Sequence, residues 1–146
     1  DGSINQQSFV KSIKKYVLVA NNPITIQTAD KQHKIFLNYW KAITNILGIE
    51  EPTVLFKYNG VELFCKFSVP FFNKMINMPD FKVSTMQSLL EQAFEEVEGD
   101  YAGVGHTDFW TKGSTASFLN SGALNVINAE MVKALHKTNF QRDIEI

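Results

Sequence analysis

Ile35-Phe36-Leu37-Asn38-Tyr39-Trp40-Lys41-Ala42-Ile43-Thr44-Asn45-Ile46-Leu47-Gly48 carries large apolar side chains at intervals of three and four. That interval lays Ile35, Phe36, Tyr39, Trp40, Ile43, Ile46 and Leu47 along one face of an α-helix, whereas a strand would need a period of two. Thr28 stands where an N-cap oxygen belongs, and Asp30 places a negative charge at the positive end of the helix dipole. Gly48 follows the last apolar residue and suits the left-handed position that ends a helix. The spacing predicts a helix over 29–47, with Tyr39 and Trp40 in the core rather than on an exposed aromatic platform.

The same period recurs on both sides. Ile4, Phe9, Val10, Ile13 and Val17 alternate with lysines and predict a helix over about 5–20. Pro23 ends it, because a residue before proline avoids helical geometry. Ser84-Thr85-Met86-Gln87 has the form of a capping box, with Ser84 as N-cap. Met86, Leu89, Leu90, Phe94 and Val97 extend it into a helix over 85–97. Ser121 caps a final helix over about 122–137, lined by Leu124, Ile127, Met131 and Leu135, with His136 and Lys137 in its last turn.

Two segments read less simply. Val54 to Tyr58, Asn59-Gly60 and Val61 to Phe67 form the pattern of a β-hairpin with a type I′ turn. Val61, Leu63, Cys65 and Phe67 alternate with polar Glu62 and Lys66, yet those two residues are also an i,i+4 pair in the order a helix favours. Composition tilts 54–67 toward the hairpin. Ser68 and Pro70 then open a short helix that runs to about Asn77. Residues 98–120, with Gly99, Gly103, Gly105 and Gly113, lack periodicity; Phe109, Trp110 and Phe118 are expected to pin this long loop to the core. The fold class is therefore mainly α, about five helices around one Phe-rich core in a single domain over 1–146.

The chain has 146 residues, a net charge of −1 and twelve Phe. A general nucleic-acid binder neutralises phosphates and shows a basic excess, which the whole chain lacks. Charge is nonetheless unevenly placed: Lys11, Lys14 and Lys15 cluster near the start, and Glu91, Glu95, Glu96, Glu98 and Asp100 form an acidic run. The single cysteine, Cys65, can form neither an intrachain disulfide nor a cysteine pair for zinc, and its apolar neighbours mark it as a buried small hydrophobe. A reducing, cytoplasmic setting is expected. No apolar run approaches the length of a membrane span. The chain opens on Asp1-Gly2-Ser3, and a flanking domain of a larger protein is expected.

Chemistry-bearing residues concentrate in one place. His106 and Asp108, two apart, have the makings of a metal-ligand pair or of a base and its orienter. Their local alternative is a loop in which Thr107 or Asp108 caps a short turn holding Trp110. Lys112, Gly113 and Ser114 offer an ammonium and backbone amides to an anion, but the Lys-Gly order is not that of a P-loop. Lys11, Lys14 and Lys15 form a second candidate phosphate contact. None of the three histidines belongs to a local metal motif, and no nucleophile elbow is present. No catalytic residue, metal or cofactor is expected.

Ser8-Phe9-Val10, Asn22-Pro23-Ile24, the Ile35–Ile43 run, Lys57-Tyr58-Asn59-Gly60, Phe109-Trp110 with Lys112-Gly113, and Ser117-Phe118-Leu119-Asn120-Ser121 follow one another in an order that resembles the C-terminal helical region of DGQHR-domain proteins. That group includes regulators associated with DNA phosphorothioation and related phage-defence genes. The resemblance covers about residues 4–137 and favours a helix over 54–67. The Asp-Gly-Gln-His-Arg motif itself is absent, so none of that domain's functional residues carries over. What the resemblance implies is a non-enzymatic helical module of a larger DNA-associated bacterial or phage protein. It would dock on its flanking domain, on a second copy or on DNA near the 103–114 loop. A protein–protein interaction domain with no DNA role is the alternative, and a small enzyme using His106, Asp108 and Lys112 is the third reading.

Overall fold

The computed structural model describes residues 11, 13–48, 60–78, 80–111 and 121–138, and among them every regular element is helical. Five α-helices follow in order: α1, Ala29–Leu47; α2, Gly60–Met75; α3, Val83–Glu95; α4, Thr107–Thr111; and α5, Ser121–Lys137. A π-helical turn, Ile13–Val17, and a 3-10 turn, Pro23–Ile26, precede α1, and a 3-10 segment, Gly99–Gly105, leads into α4. Helix α1 packs on α3, α3 on α5, and α2 on both α5 and the N-terminal π turn.

Helix α1 has the predicted bounds. The Thr28 hydroxyl accepts from the Lys31 N–H at 3.3 Å, and Gly48 takes the left-handed conformation at φ 62°. Tyr39, Ala42, Ile43 and Leu47 are fully buried. Trp40 is half-buried and edges onto Phe64.

The hairpin expectation fails for its second strand, since Val61 to Phe67 lies inside α2; residues 54–59 fall outside the described residues. The reason is burial on almost every side. Val61, Leu63, Phe64, Cys65, Phe67, Ser68, Phe71, Phe72 and Met75 are all buried, so an interior helix shows the apolar density of a strand. The less buried positions, Glu62, Lys66, Val69, Pro70, Asn73 and Lys74, recur at helical spacing and form one narrow, mostly polar stripe. Ser68 therefore opens no new helix, and Pro70 lies inside α2 rather than in a first turn. Proline supplies no N–H to the carbonyl four residues earlier. One turn away, Ser68 donates to the Cys65 carbonyl at 2.6 Å.

The other boundaries shift for local reasons. Within the described residues the first helical segment stops at Val17, closed by a Leu18 N–H to Ile13 carbonyl bond of 2.9 Å, and does not reach residue 20. The buried Asn22 side chain draws the chain out of the helix there, donating to the Tyr16 carbonyl at 3.2 Å. The capping box does not form: α3 begins at Val83 and Ser84 sits inside it. Asp80 organises that end instead, accepting from the Lys82 N–H at 2.9 Å and the Thr85 hydroxyl at 2.6 Å. The Thr85 hydroxyl and the Lys82 N–H hold the Asp80 carboxyl below the usual carboxylate range.

The expected long loop is partly ordered helix. Trp110 is fully buried and donates from Nε1 to the Val104 carbonyl at 2.9 Å, which ties α4 to the preceding 3-10 segment. Phe109 stacks edgewise on Trp110, while Phe118 falls outside the described residues. Gly105 is required by closeness: a Cβ there would meet Phe94 Cβ and Cγ at 2.6 Å. Gly105→Ala should therefore destabilise the protein by about 1–3 kcal/mol, as overpacking does. A thermal melt unchanged from wild type would contradict this contact.

Phe64 is the centre of the core. Its ring lies 6.2 Å from Trp40, 6.3 Å from Phe94 and 5.8 Å from Trp110, so one side chain joins α1, α2, α3 and α4. Tyr39 packs on Phe71 and Phe72 and donates its hydroxyl to the Phe64 carbonyl at 2.7 Å. Desolvation pushes the Tyr39 phenol well up.

Candidate functional site

The outward stripe of α2 borders a polar cleft of about 370 Å³. Lys15 and Tyr16 from the N-terminal turn form one wall, Glu62, Leu63 and Lys66 the floor, and Leu124 and Asn125 of α5 the other wall. Each wall has a local cause. The apolar sides of the π turn and of α5 both seat on α2, which is buried on nearly every face except this one, so the polar groups of all three elements meet along the remaining seam.

Within the seam the charges are kept apart. Glu62 accepts from the Tyr16 hydroxyl at 3.3 Å. Lys66, four residues after Glu62, reaches across to the Asn125 side-chain oxygen instead. Lys15 holds its ammonium 5.1 Å from the centre of the Tyr16 ring, a cation–π arrangement. Contact with Tyr16, and to a smaller extent the Glu62 charge, raises the Lys15 pKa.

A second depression, about 160 Å³, lies between the Pro23–Ile26 turn, α1 and the end of α2. Ile24, Ile35, Phe72 and Phe81 line it, and Ile26 (83% exposed) and Ile76 (54% exposed) stand at its edge. It holds no ionisable group.

Of the residues singled out in sequence, Lys11, Lys14 and Lys15 are exposed, and Lys15 lines the polar cleft. His106 is exposed; its backbone N–H donates to the Gly103 carbonyl at 2.9 Å and its carbonyl accepts from Phe109 at 3.2 Å. Asp108 is exposed in the first turn of α4. Lys112 and Ser114 lie outside the described residues. Among the described residues no three His, Cys, Asp or Glu side chains gather as metal ligands. Also among them, no helix is long and apolar enough to cross a membrane. Cys65 is buried, and desolvation pushes its thiol up to about 12, leaving it protonated and unreactive at neutral pH.

Tyr16, Glu62, Lys66 and Asn125 escaped the sequence reading because they come from three distant parts of the chain. The one available signal was the Glu62–Lys66 spacing. Lys74 was missed as well: its ammonium donates to the Leu135 and Thr138 carbonyls at 2.7 and 3.3 Å, binding the open end of α5. There His136 and Lys137 suit the dipole, and the exposed Lys137–Glu98 pair at 4.0 Å adds little. Compared with protein-family models, with curated proteins and with solved structures, the chain gives no match in any of the three.

Proposed function

We propose that this chain is a non-enzymatic helical module of a larger DNA-associated protein, and that it contacts the phosphate backbone through the face formed by Lys11, Lys14, Lys15 and Lys66. The observation that carries this reading is the meeting of Lys15 and Lys66 on one cleft, with Lys11 and Lys14 exposed on the segment that supplies Lys15. Two ammonium groups line the cleft against one carboxylate, Glu62, and two more lysines are exposed on the adjoining segment, although the whole chain is slightly acidic.

This location differs from the loop near 103–114. The described part of that loop, residues 103–111, carries Asp108 and no lysine or arginine, and its Lys112 lies outside the described residues. Lys15 and Lys66 line the polar seam, and a backbone phosphate needs no base-specific contact to bind there.

Fluorescence anisotropy with a labelled duplex tests the reading. Binding should weaken with salt at a log–log slope of about −3 to −4, which corresponds to four neutralised phosphates. Replacing Lys14 with Gln should reduce that slope by about one. A protein that shows no duplex binding at about 50 mM salt, where such contacts are strongest, would overturn the assignment.

A further inference from the structure

The cleft is more specific than a basic surface, because its polar groups come from three separate elements. Lys15 and Lys66 stand on different elements and both line the same 370 Å³ space. Because the Asn125 side-chain oxygen accepts from Lys66, its amide nitrogen is the group left to donate. Glu62 is engaged by the Tyr16 hydroxyl. No carboxylate lies within ion-pair distance of either lysine among the described residues, even though Glu62 is spaced to pair with Lys66.

We propose that this cleft holds a single phosphate monoester between Lys15, Lys66 and the Asn125 amide. A monoester carries nearly two negative charges at neutral pH and a backbone diester one, so the monoester is drawn more strongly to the two ammonium groups, although Glu62 leaves the cleft lining with a net charge of only +1. The remaining charge in the cleft, Glu62, opposes the anion and sets the affinity below its maximum. Tyr16, Leu63 and Leu124 complete the lining. The monoester is the terminal phosphate of a nucleic-acid strand or the phosphate of a free mononucleotide. This inference deepens the DNA-contact reading and rests on it only for the first of those sources.

The test compares the intact chain's binding of one oligonucleotide with a 5′-phosphate and with a 5′-hydroxyl, alongside an NMR titration with inorganic phosphate. The phosphorylated strand should bind about fivefold more tightly, the worth of two modest ion pairs. Lys15→Gln and Lys66→Gln should each erase most of that difference, and Glu62→Gln should enlarge it, which a loss of folding could not do. Inorganic phosphate that shifts the Lys66 and Asn125 resonances without any end preference assigns the site to free phosphate compounds. Equal binding of both strands together with no response to inorganic phosphate would overturn the proposal. Loss of duplex binding with a retained phosphate response would overturn only the DNA-contact reading.

Discussion

Phe64→Ala should cost about 3–5 kcal/mol of unfolding free energy, near the top of the range for single core truncations. The ring is fully buried and touches Trp40, Phe94 and Trp110, so its removal opens a cavity bordered by four helices. Those neighbours are held by contacts of their own. Trp110 is tied to the Val104 carbonyl, and Phe94 is blocked on one side by the Gly105 backbone. The site therefore cannot collapse to fill the gap, and the cavity term is retained in full. Urea unfolding followed by tryptophan fluorescence measures the loss. A midpoint shift worth less than about 1.5 kcal/mol would mean that the four helices repack around the missing ring.

Asn22→Leu should destabilise the protein by about 3 kcal/mol, although it replaces a polar residue in the core with an apolar one of similar size. Asn22 is fully buried. Its amide donates to the Tyr16 carbonyl at 3.2 Å and to the Ser68 hydroxyl at 3.1 Å, and its oxygen accepts from the Ile24 N–H at 3.3 Å. Leucine would satisfy none of the three, and stranded buried polar groups carry most of the penalty. Ser68 still has the Cys65 carbonyl as a partner, so Ser68→Ala alone should be milder. In a double-mutant cycle by urea unfolding, Asn22→Leu and Ser68→Ala should couple by about 1 kcal/mol. Strictly additive effects would show that the pair is not an energetic unit. Because Asn22 anchors the turn that presents Lys15 and Tyr16, its loss should also weaken phosphate binding at the cleft.

Those two residues also show where sequence reading succeeds and where it stops. Phe64 lay in a segment whose apolar residues fit a strand and a helix equally well. Periodicity separates buried from exposed faces, and a helix surrounded by neighbours has almost no exposed face to register. Asn22 was legible only as the residue before a proline, and its part as a three-way buried tie depends on Tyr16, Ile24 and Ser68 coming together in space. Asp80 displaced Ser84 at the start of α3 for a similar reason. A capping box is a local option, and a carboxylate upstream that satisfies both Lys82 and Thr85 competes with it successfully.

The three-and-four spacing of Ile35 to Leu47, with Thr28 and Gly48 at its ends, was sufficient by itself to specify α1, because caps and a one-sided apolar stripe are properties of a contiguous chain. The same holds for the main course of α3 and α5 and for the burial of Cys65. Only the tertiary structure decided that α2 runs unbroken from Gly60 through Pro70, and that Lys15, Tyr16, Glu62, Lys66 and Asn125 share one cleft. Both outcomes depend on which faces of distant segments cover one another, and no periodicity within a single segment encodes that.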